Sequence, residues 1–563
     1  METSVINLIA RSLTDNDVRR AIVSPGARNS TLLQSLANSG MDLIPVVDER
    51  VAAFVALGMA AESDSPIAIV CTSGSAMLNY APALAEAFYR RIPIIAITAD
   101  RPAMWIDRAD SQTIRQPGAL DSVVKHSYSL PPASGSDALV HSMLLLQEAL
   151  IEAKKWPRGP VHINVPIDFN ADHPSMLPYR PISVVSSDTV ISTSRARELG
   201  RLLASPRKLL VVAGGGNPSP KINKALSKMS QLPNVAVITE PTSNIHVREA
   251  ILSGEATLTG ADRDTTDRLR PDVVITIGGA IVSARMKKML RTTQALEHWA
   301  VGGMIGYSLP DTFGSLTTLI DMDAESFLPL LASAMQPHKA PCDFGNDWRV
   351  AYHRGQALLL SAIAHAPWSS LRAISYMLAH TPRRWNIHVS NGMTIRIACI
   401  VAAIAGPWHR FDCNRGVSGI DGATSTAIGA AISSKTSPTL LITGDMSALY
   451  DMASLASGIV PPRFRMAVID NGGGGIFRVS GATRRLPCRS TLLEMEGLEV
   501  PLRGLAADCN FDYYEAKSDE ELRTVWPRFT SELADRPAIL RIITNGVTDA
   551  DIFNDYYHNS STK

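Results

Sequence analysis

The chain has 563 residues, 45% of them hydrophobic and 19% charged, the make-up of an ordinary globular protein long enough for several domains. With 54 basic residues against 53 acidic ones the formal charge is +1, so no global field favours nucleic acid or an anionic membrane. The opening METSVINLIARSL is too polar for a signal peptide, no apolar run is long enough to span a bilayer, and Cys71, Cys342, Cys399, Cys413, Cys488 and Cys509 form no CxxC pair. These features argue against a zinc site and a disulfide framework, and make a cytoplasmic protein the default.

Along the first 180 residues, short β-rich runs end one after another in small or charged groups. Residues 20–23 lead into SPGARNS, 43–47 into DER, 67–70 into CTSGS and 94–98 into ADRP, with helical stretches at 32–39, 50–62 and 76–90 between them. Alternation of this kind predicts a parallel doubly wound sheet. Ligands bind beyond the carboxyl ends of such strands, so the four polar loops should meet in one crevice. In DER, Asp48 has a ready role as a helix cap that meets the positive end of the dipole. Glu49, a second carboxylate at the mouth of an apolar helix, has none from local structure beyond that of a surface glutamate at a helix start.

A second α/β unit spans about 185–335. KLLVVAGGGNPSP (208–220) and DVVITIGGAIVSAR (272–285) are strands entering glycine turns, but Ser219 stands where a nucleotide fingerprint needs its third glycine. A tight turn explains the first of them better. Residues 336–350 (QPHKAPCDFGNDWRV) read as a linker. A third α/β unit runs from about 350 to the end, with strands at 387–390, 440–443, 466–469 and 539–544. Its layout is like that of the first.

The third unit carries the most specific signal, LLITGDMSALYDMASLASGIVPPRFRMAVIDNGGGGIF. One buried strand ends at Gly444-Asp445; a strand–helix–strand passage later the next ends at Asp470-Asn471, before four glycines. An acid and an amide at one sheet edge are oxygen ligands for a hard cation such as Mg²⁺, and glycines let backbone amides approach a diphosphate. A pair of helix caps on an ordinary βαβ unit is the plainer alternative.

GDM…DNGG resembles the diphosphate and Mg²⁺ motif of thiamine diphosphate enzymes, which usually reads Gly-Asp-Gly and then Asn-Asn. GPVHINVPID (159–168) is similar to the segment that closes their pyrimidine-binding domain. SPGARN, DERVAAFVALGMA, CTSGSA, TADRPAMWI, SQTIRQPG, NRGVSGIDGATSTAIG and NGGGGIF are similar to signatures of the branch of that superfamily that serves menaquinone biosynthesis. The resemblance implies three doubly wound parallel-sheet domains: pyrimidine-binding (1–180), central (185–335) and diphosphate-binding (350–563). It implies a transferase that decarboxylates 2-oxoglutarate and adds the succinyl unit in a 1,4 sense to isochorismate.

For the cofactors, thiamine diphosphate and Mg²⁺ (or Mn²⁺), the resemblance implies a hydrogen bond from Glu49 to the aminopyrimidine ring. Burial at an apolar strand–helix junction should raise the pKa of that carboxyl. Asp445, Asn471 and the Gly473 carbonyl are implied as metal ligands beside Gly444, and Ile420 as the apolar wedge under the cofactor rings, a position where plain core packing is equally natural. Two dicarboxylate substrates call for several guanidinium groups. Arg28, Arg101, Arg285, Arg396 and Arg415 match family positions, with Gln112 as a neighbouring amide and Ile476 and Phe477 as an apolar wall; Arg28 and Gln112 join Glu49 as catalytic candidates. Met446, Asp470, Ala284, Gly392 and Ser111 depart from the usual pattern and bear on substrate affinity. A homodimer or homotetramer is implied, with small-molecule partners and neither nucleic acid nor membrane. Another thiamine diphosphate decarboxylase or carboligase, or a non-catalytic paralogue, are the alternatives that the residues leave open.

Overall fold

The computed structural model describes residues 2–132, 135–167, 175–176, 194, 207–293, 295–304, 306, 308–335, 342–406, 408, 410–434, 436–497 and 499–558. The chain divides into two compact units. One comprises Met1–Ser187, Asn414–Thr436 and Tyr450–Pro461; the other comprises Asp188–Cys413, Ser437–Leu449 and Pro462–Lys563. Expected boundaries at 180 and 185 and the first part of the expected linker, 336–341, lie outside the described residues.

The first unit holds a six-stranded parallel sheet of β1 (Arg20–Val23), β2 (Asp42–Pro45), β3 (Ile67–Cys71), β4 (Ile94–Asp100), β5 (Ser127–Ser129) and β6 (Val161–Pro166), in the order β2-β1-β3-β4-β6-β5. Every residue of β3 and β4 is buried, because a parallel sheet is covered on both faces and its strands become continuous apolar runs. The Glu49–Ser63 helix is buried from Val51 to Ala61. Its all-round apolarity reflects two partners, the sheet on one side and the Ala423–Ser433 helix on the other. The helices touch backbone to backbone: a Cβ on Gly58 would lie 1.9 Å from the Thr426 carbonyl oxygen, and one on Gly429 would lie 2.0 Å from that of Val55. The expected helix 76–90 is two, Ser75–Leu78 and Ala81–Arg90, because Pro82 supplies no amide to continue the first.

The second unit holds two more six-stranded parallel sheets. In the central one, β7 (Leu209–Ala213), β8 (Val235–Thr239), β9 (Ile251–Leu252), β10 (Val273–Ile277), β11 (Glu297–Val301) and β12 (Thr318–Ile320) lie in the order β9-β8-β7-β10-β11-β12. Its glycine turns spend their amides inside the protein. Gly214 N donates to the Ile277 carbonyl at 2.9 Å, Gly216 N to Thr242 at 2.9 Å and Gly279 N to Gly215 at 2.7 Å. A Cβ on Gly214 would sit 1.8 Å from the Gly279 carbonyl oxygen. Close crossing of two turns, rather than a nucleotide, accounts for these glycines.

The third sheet comprises β13 (Asn386–Val389), β14 (Arg410–Asp412), β15 (Thr439–Gly444), β16 (Phe464–Asp470), β17 (Asp512–Ala516) and β18 (Ala538–Ile543), in the order β14-β13-β15-β16-β18-β17. That order repeats the pattern of the first sheet: second, first, third, fourth, sixth, fifth. Residues 344–350, expected to be linker, are instead the first turns of the Phe344–His365 helix. Phe344, Trp348, Ala351, Gly355 and Leu359 are buried at helical spacing, a stripe obscured by the Asp-, Gly- and Asn-rich start. All six cysteines are unbridged, and no helix among the described residues is long and apolar enough to cross a membrane.

Candidate functional site

In the first unit the loops that leave β1 to β4 meet at the carboxyl edge of the sheet. SPGARN packs on CTSGS so closely that a Cβ on Gly26 would lie 2.2 Å from the Thr72 Cβ. Gly74, at φ +86°, donates its amide to Gln116 Oε1 at 2.8 Å, and its Cα faces the backbone of Gln112. From ADRP, Arg101 Nη2 donates to Ser111 Oγ at 3.1 Å and Nη1 pairs with Asp110 Oδ2 at 3.1 Å. Asn79, just past CTSGS, donates to Glu49 Oε2 at 3.5 Å. Arg28 is half-buried, with Nη1 donating to the Ile167 carbonyl at 3.1 Å, and Gln112 is exposed. The first unit thus carries Glu49, Arg28, Arg101 and Gln112 on segments that follow the carboxyl ends of its strands.

Each residue of DER has its own task. Asp48 caps the helix, accepting from Arg50 N at 2.9 Å and Val51 N at 3.1 Å. Glu49 is half-buried, and burial pushes its carboxyl above the usual range; the Asp48 charge adds to the rise, while Asn79 opposes it. Arg50 donates to the carbonyls of Asp421 and Tyr450, lies 5.1 Å over the Tyr450 ring and approaches Asp451 Oδ1 at 3.8 Å. The contact from Arg50 to Asp421 fastens the segment that carries Ile420 to the start of the Glu49 helix. Arg415 is half-buried on the same segment, which Glu86 holds by accepting from Gly416 N at 2.8 Å and Val417 N at 2.7 Å.

The second unit contains the Asp445 site. β15 and β16 are neighbours in register, Gly444 opposite Ile469, so the loops that follow them adjoin. Asp445 is 4% exposed; its Oδ2 accepts from Gly473 N at 2.8 Å and Asn471 N at 3.2 Å, and its Oδ1 from Met446 N at 2.7 Å. Burial raises its pKa to about 6, and Asp470 adds to the rise. No cation pairs with Asp445 among the described residues. A buried carboxylate that accepts from the backbone amides of an asparagine and a glycine loop suits a hard, oxygen-seeking ion, and no group of three His, Cys, Asp or Glu suited to a softer metal occurs among the described residues.

Two departures from the usual motif have local explanations. Asp470, which replaces an amide, pairs with Arg541 from β18: Nε donates at 2.6 Å and Nη2 lies 2.6 Å away, so the added charge is offset. Gly392 has φ +102°, a conformation that glycine adopts without strain. Nothing in the structure explains Met446.

The glycine stretch is held from behind. Gly473, at φ +122°, would place a Cβ 2.0 Å from the Glu494 carbonyl oxygen, and Gly474 N donates to that oxygen at 3.0 Å. The Glu494 carboxylate is buried between Arg478 at 2.9 Å and Arg489 at 2.6 Å. Ile476 and Phe477 follow, half-buried, in the short helix Ile476–Val479. Gly444 N donates to Ser390 Oγ at 3.2 Å, and a Cβ on Gly475 would lie 3.0 Å from Asn471 Nδ2 and 3.7 Å from Met393 Cγ, at the start of the Met393–Ala405 helix that bears Arg396. Arg285 is the second residue of the Ala284–Thr293 helix.

Sequence reasoning missed Gln116, Glu86, Asp451 and Glu494. Gln116 is fully buried, its Nε2 reaching Asn164 Oδ1 at 2.9 Å and the Ala99 carbonyl at 3.1 Å. Asp451 is fully buried and raised to about 7 by that burial, against hydrogen bonds from Ser425 and the charge of Arg50. In the sequence these are polar residues of ordinary helices and loops, and only the fold reveals what covers them.

A family model of the N-terminal thiamine pyrophosphate-binding domain of thiamine pyrophosphate enzymes matches residues 3–119. That match and the three parallel sheets place the chain in the class of thiamine diphosphate-dependent enzymes. Proteins named 2-succinyl-5-enolpyruvyl-6-hydroxy-3-cyclohexene-1-carboxylate (SEPHCHC) synthase are similar along nearly the whole chain. That of Porphyromonas gingivalis W83 is 36% identical over 568 residues, covering 96% of this chain and 94% of its own. Those of Flavobacterium johnsoniae (34%, covering 95% of each chain) and Bacteroides fragilis ATCC 25285 (33%, covering 99% and 98%) agree. The chain belongs to the SEPHCHC synthase family.

Proposed function

We propose that the protein decarboxylates 2-oxoglutarate and adds the succinyl unit in a 1,4 sense to isochorismate, giving SEPHCHC in menaquinone biosynthesis. The observation that carries this reading is the near full-length likeness to SEPHCHC synthases. When bound, thiamine diphosphate supplies the carbon nucleophile and the electron sink that decarboxylation of a 2-oxoacid needs. The sheet of the first unit is read as the pyrimidine-binding domain and the two of the second as the central and diphosphate-binding domains. In the first unit Glu49, whose carboxyl is raised by burial, would hydrogen-bond the aminopyrimidine ring, and Ile420 would support the rings. In the second, Asp445, Asn471 and the Gly473 carbonyl hold Mg²⁺ or Mn²⁺ beside Gly444.

Arg28, Arg101, Gln112, Arg285, Arg396 and Arg415 grip the substrate carboxylates, where a guanidinium fork gives two bonds to one acid group. Ile476 and Phe477 exclude water. Catalysis by these side chains is positioning and charge stabilisation. The enzyme works as a cytoplasmic homodimer or homotetramer. The test supplies thiamine diphosphate, Mg²⁺ and 2-oxoglutarate with and without isochorismate, and follows CO₂ and product mass. CO₂ release with formation of SEPHCHC is expected. Transfer to simple aldehydes with isochorismate ignored would move the protein to another carboligase function, and an inert protein that binds no cofactor would be a non-catalytic paralogue.

A further inference from the structure

Arg285 is held on three sides by groups that its sequence neighbourhood does not reveal. Its guanidinium carbon stands 4.1 Å from the centre of the Tyr557 ring, Nη2 donates to the Tyr557 carbonyl, and Nε lies 3.5 Å from Glu255 Oε1. Glu255 is buried, and its Oε2 accepts from Ser283 Oγ at 2.5 Å and from the Arg285 amide at 3.2 Å. Glu240, also buried, accepts from Val282 N at 2.6 Å and Ser283 N at 2.7 Å. Two carboxylates therefore fix the backbone from which Arg285 projects, and a third element fixes its head. That element is the Gly546–His558 helix: Tyr557 lies in its last turn, where carbonyls lack partners within the helix and a cation is favoured. The phenol of Tyr557 is raised first by burial and then by Glu255, while Arg285 and Arg396 act on it in the opposite sense, so both arginines lie within its electrostatic reach.

We propose that Tyr557 and Glu255 are positioning residues that hold the Arg285 guanidinium in the orientation in which it receives a substrate carboxylate, making the Gly546–His558 helix part of the specificity apparatus. This rests on the reading of Arg285 as a substrate-binding residue. Contacts through Nε and one Nη2 hydrogen leave three of the five guanidinium N–H groups to grip an acid. An arginine fixed before binding does not spend affinity on ordering its own flexible chain. Lying over an aromatic ring while donating to a helix end and to an acid at once draws on the several donors of a guanidinium, where a lysine offers a single point charge.

The test compares Arg285→Ala, Tyr557→Leu, Tyr557→Ala, Tyr557→Phe and the double variant Arg285→Ala/Tyr557→Leu in the full-length enzyme loaded with thiamine diphosphate and Mg²⁺. Leucine keeps apolar volume without the ring, so it serves if the alanine variant fails to fold. Tyr557→Leu is expected to raise KM for the dicarboxylate read by Arg285 about tenfold, with thiamine diphosphate affinity unchanged, and Tyr557→Phe to stay within about twofold of wild type. Adding Tyr557→Leu to Arg285→Ala should raise KM no further, because the two act through one contact. If Arg285→Ala raises KM and Tyr557→Leu leaves it unchanged, the positioning role is overturned while the role of Arg285 stands. Additive losses in the double variant would also overturn it. If Arg285→Ala itself leaves both KM values unchanged, the reading of Arg285 fails, and this inference with it.

Discussion

At Asp445, burial and the neighbouring Asp470 push the carboxyl up to about 6, well above the usual aspartate value. A raised carboxyl stabilises the metal-free fold while it is protonated, a contribution fully present below about pH 4 and lost as pH rises through about 6. Metal binding needs the ionised form and so follows the opposite trend. Apparent Mg²⁺ affinity, measured by titration at fixed thiamine diphosphate, should rise with pH up to about 6 and level off above it, by at most about tenfold per pH unit for one proton. A flat profile from pH 5 to 8 would remove Asp445 as the titrating ligand. The substrate arginines make a separate prediction. Arg396→Ala should raise KM for one of the two dicarboxylates by more than about tenfold, on the order of 1.4 kcal/mol, in steady-state assays; an unchanged KM would take Arg396 out of the site. Asp445 and Asn471 were legible because an acid and an amide at successive strand ends, followed by glycines, form a local pattern. Arg541 was not, since it reaches Asp470 from a strand 71 positions further along the chain.

Among the elements, the buried pair Glu49–Ser63 and Ala423–Ser433 packs backbone to backbone in the first unit. It seats Glu49 at one helix start, and Arg50 fastens the Ile420–Asp421 segment to the same place. Gly429→Ala would put a methyl 2.0 Å from the Val55 carbonyl oxygen. The helices must separate, and overpacking of this kind typically costs about 1–3 kcal/mol, which thermal unfolding of the variant should register as a lower midpoint. An undiminished midpoint would mean that the helix contact is looser than the structure has it. Central strands were legible because full burial turns them into apolar runs. The edge strands β14 and β17 were not, as β14 carries Arg410 and Asp412 and β17 carries Asp512 and Glu515, charges typical of an edge. The start of the Phe344–His365 helix was hidden for the opposite reason: turn-forming residues mask the stripe led by Phe344 and Trp348.

Over the whole molecule, the first and third sheets share one strand order while the central sheet has another. Their likeness was visible in the sequence as matching strand ends loaded with polar groups. The supports Glu86, Gln116, Glu255 and Asp451 were not, because each bonds a residue far along the chain, and Glu494, though near its arginines in sequence, sits in no motif. The same division marks the function: residues expected to touch cofactor or substrate lie in short motifs, and the residues that hold them are scattered. The proposed chemistry depends most on Glu49, the half-buried carboxyl next to the Asp48 cap. The measurement that tests it most directly is kcat of Glu49→Gln at saturating thiamine diphosphate, Mg²⁺, 2-oxoglutarate and isochorismate, with cofactor binding followed in the same samples. Turnover is expected to fall by about 10²–10⁴-fold, the usual worth of a proton-handling side chain, with cofactor binding retained in part. Near wild-type turnover in Glu49→Gln would contradict it.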